Sequence, residues 1–600
     1  MSTNLTWQTQ IDKPLWIPEA TALANTAAGS SLACDLRNNN TRVPLLFELT
    51  NATSLGVYNP MLTDWLQLTS PALTGTFGAG ATCIFHPTQG ARSKLLASST
   101  TTTLNLDGFG NGAPAAATWT RTTTTATVTT TANHGFQSGQ ILTVTITSDA
   151  TAIVLGNVTI TVTGNTTFTF TCLNAGAASG TLTVGISLGT GVLGNKGDGA
   201  GFVIRVIDNG AGGSGKTEEA FILTNTAGAT PVVTLASALS FTPVTGSSFE
   251  LLSGRLFMLS AGTTALGCWK YYDVASNTFS GNLSITNLPA TVSTDSSAIA
   301  MSELYVSSDR TPSTGQVNGG ATYNNGRFNC IQATAAAAST ITGSGMPATL
   351  FANEYRNFQV RIVEDTVTPT SVGQRVLITS HTGGATGVFT ISGTFAVTPS
   401  SSAKFVVENF DAWILANSSA AASVYTYNTA ANTWDITTFS AGGANVGGGN
   451  VLALNSGIPR DPTGNSRQSF VYRVLGGASN TISVLDIAGA ATGSWNNTIM
   501  YSYMPSTTFT TGTCGIADPI NNSGRYLYLN VNGSQRFARF DMADRVMLPC
   551  FYMRFPQSTA VVGQKTALAL DITGSYKTTG LYTRVNSAAQ MLSVVIQDLS

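Results

Sequence analysis

The chain has 600 residues, a net charge of −1 and only 10% charged side chains, against about 25% in an average soluble domain. That balance excludes a general nucleic-acid binder, which carries a basic surface, and the length allows more than one hydrophobic core. Thr, Ser, Asn, Ala and Gly take the place of charge. Thr and Val favour pleated half-buried surfaces and Gly and Asn favour tight turns, so the composition is that of an all-β protein.

Cysteines stand at Cys34, Cys83, Cys172, Cys268, Cys330, Cys514 and Cys550, with no C-x-x-C pair. Free, mostly buried thiols in a reducing cytoplasm are expected. The first residues, MSTNLTWQTQIDKPLW, lack a basic region followed by an apolar run, so no signal peptide is expected. No apolar stretch approaches the ~20 residues that span a bilayer, so no membrane insertion is expected.

In chain order, the first recognisable unit is LLFELTNATSLGVYNPMLTDW, two strands closing on Tyr58-Asn59 with Trp65 seven residues after the tyrosine. Next, ARSKLLASSTTTTLNL from Ala91 is similar to GRFNCIQATAAAASTI from Gly326, with Ala97 meeting Ala333 at an offset of 236. A Thr-rich stretch follows, in which Val158, Ile160 and Val162 alternate with Thr159, Thr161 and Thr163. Such alternation makes strands with one apolar and one hydroxyl face, and a small β-sandwich module is expected over 116–188.

The segment from Phe202, FVIRVIDNGAGGSGKTEEAFILTNT, then repeats from Phe358 as FQVRIVEDTVTPTSVGQRVLITSHT. Arg205 meets Arg361, Thr226 meets Thr382, Pro243 meets Pro399 and Phe249 meets Phe405, all at an offset of 156. The chain contains a duplication. Because the offset falls from 236 to 156, about 80 residues are inserted between 106 and 202, at a loop where insertion is tolerated.

Within the first copy, Gly210–Thr217 reads GAGGSGKT and fits the phosphate-loop pattern. Its counterpart TVTPTSVG has neither the lysine nor a Gly-rich turn, and the residues after Lys216 are strand-like. Without a helix N-terminus a phosphate site loses its dipole and most of its amide donors. The segment is expected to be a hairpin loop, and no cofactor or metal site is expected.

Past the duplicated piece, LSGRLFML…YYDVASNTF resembles FDAWILAN…YTYNTAANTW, pairing Tyr272 and Phe279 with Tyr427 and Trp434. Weaker versions run over Phe470–Trp495 and Arg525–Met547. Each unit is a small antiparallel meander that cannot bury its own face, and such units are stabilised by stacking radially. The pattern Y-[DN]-x-x-x-x-x-[WF] resembles the kelch-type propeller blade. The expected fold is all-β: a β-propeller-like body of repeated meanders carrying inserted β-sandwich or barrel modules. The expected division is blades in 1–115, the inserted module in 116–188, a first repeat with its blade in 189–325, a second in 326–460, and closing blades in 461–600.

Candidate chemistry is sparse. The histidines are His86, His134 and His381, in unrelated contexts, and the last two read as turn residues. Neither a G-x-S-x-G elbow nor an H-E-x-x-H helix occurs. The acidic neighbours Glu218-Glu219 and Glu364-Asp365 point to opposite faces of a strand, so neither is a ready acid/base couple. Trp65, Trp434 and Trp495 suit sugar stacking but read as packing residues. Arg525, Arg536, Arg539, Arg545 and Arg554 cluster, with Asp541 and Asp544 interleaved as on a solvated, self-compensated face.

TATVTTTANHGFQSGQILTVT and GGSGKTEEAFILTNTAGATP resemble structural proteins of tailed-bacteriophage virions. That resemblance implies a non-enzymatic virion component assembled in the host cytoplasm, in the tail or head–tail region. It would form a nozzle- or collar-like ring, hexameric or alternatively trimeric, that docks other virion proteins and makes transient contact with phage DNA. The alternatives are a receptor-binding fibre or decoration protein that meets host-surface glycan, and a capsule-degrading glycosidase or lyase.

Overall fold

The structure, a computed structural model, describes stretches of the chain between residues 17 and 596. The longest are 89–106, 115–130, 201–214, 216–227, 230–260, 265–275, 331–344, 359–372, 374–408 and 470–486, and the others are mostly short strands. The described residues are almost entirely β and include no α-helix.

Six antiparallel meanders recur. The first is Ser31–Cys34, Leu46–Leu49, Leu55–Asn59 and Asp64–Leu68. The second joins Thr82–His86 to Arg255–Leu259, Trp269–Asp273 and Thr278–Phe279. The third is Ala298–Ala300, Trp413–Asn417, Val424–Asn428 and Thr433–Asp435. The fourth is Val451–Asn455, Phe470–Val474, Ile482–Asp486 and Trp495–Asn496. The fifth runs from Cys514–Ala517 to Val546–Tyr552, with Tyr501–Ser502 added in parallel at its far edge. The sixth is Thr566–Leu570, Thr579–Arg584 and Met591–Ile596, completed by Ile17–Pro18 from the start of the chain.

The first strands of these six units touch in cyclic order. Ser31–Cys34 meets Thr82–His86, which meets Ala298–Ala300, which meets Val451–Asn455, then Cys514–Ala517, then Thr566–Leu570, which returns to Ser31–Cys34. This is the order that radially stacked sheets adopt. The apolar cores lie between successive sheets. Phe47, Leu49 and Leu55 pack with Phe85, Leu256 and Met258. Ile84, Phe257 and Trp269 pack with Tyr427 and Trp434, and Val451, Tyr472 and Val484 with Leu527, Phe540 and Met547. A sheet with one face alone could not exclude water, and in these pairs the neighbouring sheet covers that face.

The seven-residue aromatic spacing has a direct cause. Tyr58 and Trp65, Tyr272 and Phe279, and Tyr427 and Trp434 are register partners across the last hairpin of their units. Their ring centroids are 5.0, 5.1 and 5.1 Å apart, within the range of favourable aromatic pairs. The closing aromatic is therefore paired within its own sheet. Trp434 also reaches Trp269 of the neighbouring unit at 5.0 Å.

Each copy of the duplication sits between the first and second strands of a unit, one in the second unit and one in the third. The second copy is a closed six-stranded barrel. The first has the same cyclic strand order, but Gln89–Lys94 and Thr103–Asn105 are joined only by a Leu95–Leu106 bridge, leaving a six-stranded sheet. After Leu106 the chain enters a separate seven-stranded sheet whose first and last strands in sequence, Ala115–Arg121 and Ala178–Gly185, pair with each other inside it. One face of that sheet buries Trp119, Val128, Phe168 and Phe170. On the other, Thr118, Thr129 and Thr181 stand exposed in one cross-strand rank.

Candidate interaction site at the junction of the two copies

The strands Val203–Ile207 and Gln359–Glu364 occupy matching places in the two copies. Each places one arginine among apolar residues at its centre, Arg205 in VIRVI and Arg361 in QVRIVE. An arginine in a buried strand is tolerated only when paired, and both are paired here. Arg205 Nε donates to Glu219 at 2.7 Å, and its Nη1 lies 3.4 Å from Glu250. Arg361 Nη1 lies 2.9 Å from the same oxygen of Glu250. Arg205, Glu250 and Arg361 are each at most 2% exposed, so one carboxylate is shared by two guanidinium groups, one from each copy.

The contact continues around this network. Ile207 packs on Val363, Ser248 Oγ donates to the Val363 carbonyl at 2.8 Å, and Lys404 Nζ donates to the Asn209 carbonyl. Lys404 also lies 3.6 Å from Glu364.

Beside the junction lie two hairpin loops, each organised by a buried aspartate. Asp208 accepts from Ser214 N and Oγ at 2.7 Å, from Val244 N at 3.0 Å and from Ser247 Oγ at 2.8 Å. Asp365 accepts from Val367 N, Thr368 N and Ser371 Oγ, and from Ser400 N and Oγ at 2.7 Å. Burial pushes both carboxyls up, but the donors outweigh it and hold each below its ordinary value: Ser214, Val244 and Ser247 for Asp208, and Ser400, Thr368 and Ser371 for Asp365.

The phosphate-loop look-alike is the first of these loops. Strand Val203–Ile207 enters it and strand Thr217–Asn225 leaves it, antiparallel to the first. Gly215 lies outside the described residues. The donors of Ser214 turn inward to Asp208, and the glycines answer local crowding. A Cβ on Gly213 would stand 2.4 Å from the Asp208 carbonyl, and one on Gly210 2.5 Å from the Thr245 carbonyl.

The remaining sequence candidates are dispersed. Glu218 accepts from Ser240 N and Oγ at 2.8 Å while its neighbour Glu219 holds Arg205. His86 is buried at the end of its strand, edge-on to Phe257. His381, read as a turn residue, is instead the last residue of Arg375–His381, buried against Phe389 at 5.2 Å with Nδ1 2.9 Å from the Thr382 carbonyl. Its ring completes the barrel core, and the turn begins one residue later. Trp65 and Trp434 are buried. Arg539 stacks over Tyr526 at 4.4 Å, and Asp541 is buried. Cys34, Cys83, Cys172, Cys268 and Cys514 are buried. His134, Cys330, Arg525, Asp544 and Arg554, and the side chains of Trp495, Arg536 and Cys550, lie outside the described residues. Among the described residues no three His, Cys, Asp or Glu side chains converge as a metal site.

Sequence reasoning aligned Arg205 with Arg361 but missed the shared Glu250. The available signal was an arginine flanked by apolar residues at the same place in both strands. The partner carboxylate could not be found that way, since position 406 of the second copy is valine.

No protein-family model matches the chain, and no curated protein is similar to it in sequence. Among solved structures, an auxiliary nutrient binding protein from Bacteroides ovatus is 8% identical, with 81% of this chain and all of that chain covered at a TM-score of 0.23. The phage phi92 endosialidase is 8% identical over 98% of this chain and 71% of that one, at 0.26. A Penicillium chrysogenum α-L-arabinanase is 10% identical over 58% and 90%, at 0.22. Superpositions this poor carry no inference about chemistry.

Proposed function

We propose that this chain is a non-enzymatic structural subunit of a tailed-phage virion, placed in the tail or head–tail assembly. We read its six cyclically ordered sheets as a six-bladed propeller from which paired barrels and a Thr-rich sheet project. The observation that carries the reading is the use made of the chemistry-bearing side chains around the duplicated copies. Glu218, Glu219, Glu364, Asp365 and His381 are each engaged in ion pairs, loop clamps or core packing. Such a body is suited to stiffness and docking, with the partners being other virion proteins and further copies of itself. The virion assignment is supported by the resemblance of the Thr-rich and Gly-rich segments to phage surface and tail proteins.

A second reading, adsorption or shell decoration, is favoured by the exposed Thr rank of the seven-stranded sheet, which offers hydroxyls to a partner or glycan. Cryo-EM of particles from the encoding phage tests both. Six copies, or a multiple, in a ring on the tail axis are expected. Three copies in a projecting fibre, or hundreds on the shell, would replace the first reading by the second. Particles without this chain would overturn both.

A further inference from the structure

The two copies meet through matching faces. Ile207 and Val363, in contact, are equivalent positions at the 156-residue offset, as are Arg205 and Arg361, which share Glu250. Ser248 and Lys404 are equivalent too, and each donates across the junction to a carbonyl at or near the end of the other copy's strand. This is the pattern of a two-fold, self-complementary interface formed within one chain.

The charges on the two faces have nevertheless diverged. In the first copy the cross-strand row is Glu219–Arg205–Glu250, two acids around one arginine. In the second the same row is Arg375–Arg361–Val406, two arginines and no acid. Two first-copy faces would bring four acids to two arginines, and two second-copy faces would set Arg361 against Arg361 with no carboxylate at position 406. Only the mixed pair places Glu250 between Arg205 and Arg361. Like charges so juxtaposed, with water excluded, oppose association.

Topology gives this pairing a consequence. The first copy interrupts the second unit between its first and second strands, and the second copy interrupts the third unit at the same point. These units are neighbours in the ring and already share the Phe257, Trp269, Tyr427 and Trp434 core. We propose that the paired copies are a brace: a mixed-charge interface, specific for one first copy and one second copy, that ties these two sheets together a second time and makes both copies open as one cooperative unit. The inference is independent of where in a particle the chain works.

Hydrogen exchange on the full chain tests it, read by mass spectrometry in Val203–Ile207 and Ser248–Leu252 of the first copy and Gln359–Glu364 and Lys404–Glu408 of the second. With Glu250→Gln, exchange should accelerate in both copies, on the order of 100-fold, because two buried guanidinium groups have lost the carboxylate they share. Adding Arg361→Leu should slow it again in both, since removing both partners leaves no orphaned charge. If that variant fails to fold, the wild-type protein in graded denaturant still decides the matter, as the four segments should lose protection at one midpoint. Acceleration confined to the first copy, or separate midpoints for the two copies, would overturn the brace.

Discussion

The two copies of the duplication keep their strands and change their loops. Ser248–Leu252 and Lys404–Glu408 correspond at every position, whereas GAGGSGKT faces TVTPTSVG. The need served by the loop persists even so. Both hairpins are clamped by an aspartate that also accepts from the backbone N–H of an equivalent residue, Val244 or Ser400. The clamp has moved by one place, because the ungapped alignment sets Asp208 opposite Glu364 and Asn209 opposite Asp365. A buried loop base needs a carboxylate to satisfy converging donors, and it does not matter which of two adjacent positions supplies it. Glycine enters the first loop where the chain crosses its own carbonyls, whereas the second loop carries a short 3₁₀ turn at Pro369–Ser371.

The comparison can be broken most forcefully in the cores. Phe249 and Phe405 are equivalent and buried, and alanine at either should cost roughly 3–5 kcal/mol. Phe405 also meets Phe389 edge-on at 5.7 Å, a contact worth about 0.5–1.5 kcal/mol more. Calorimetric melting should drop by several degrees for both variants, and an unchanged melting temperature for either would mean that its ring is not part of the core that holds its copy together.

The clamps come next. Asp208→Asn and Asp365→Asn should each cost about 1–3 kcal/mol by leaving converging donors poorly matched, with the larger loss at Asp365. Both carboxyls lie below their ordinary value when folded, so their contribution is fully present above an unfolded pKa of about 3.9 and is lost as pH falls through the lower folded value. Melting temperature followed from pH 6 to pH 2 should fall less steeply in the asparagine variants, and an unchanged slope would remove the clamp reading.

Smaller effects belong to the Gly-rich loop alone. Gly212 has φ of 82°, and Gly212→Ala should cost about 1–2 kcal/mol, the strain of a left-handed non-glycine residue. Lys216→Ala, at an exposed position, should stay within about 0.5 kcal/mol of wild type, and Mg-ATP should leave the melting temperature of both proteins unchanged. A rise with nucleotide that disappears in Lys216→Ala would restore the phosphate-loop reading.

The all-β class was legible in composition, and five sheet units were legible because an aromatic or Leu followed by Asx closes the third strand in each: Tyr58-Asn59, Tyr272-Asp273, Tyr427-Asn428, Leu485-Asp486 and Phe540-Asp541. The sixth unit escaped that signal for a physical reason. Its fourth strand comes from the far end of the chain rather than across a hairpin, so the hairpin that would carry the aromatic pair does not exist there. The splitting of the second and third units was also hidden, since strands 82–86 and 255–259 pair across a long sequence gap that no local periodicity records. At the junction, repetition revealed the arginines but not the carboxylate they share, because that residue is where the copies differ.

The sixth sheet also sets a timetable for biosynthesis. Ile17–Pro18 leaves the ribosome long before its partner Met591–Ile596. During translation the first five units can stack in order while the arc they form stays open. Completion of the sixth sheet waits until Met591–Ile596 has emerged, and a chain stalled before that point would leave Ile17–Pro18 without its strand partner.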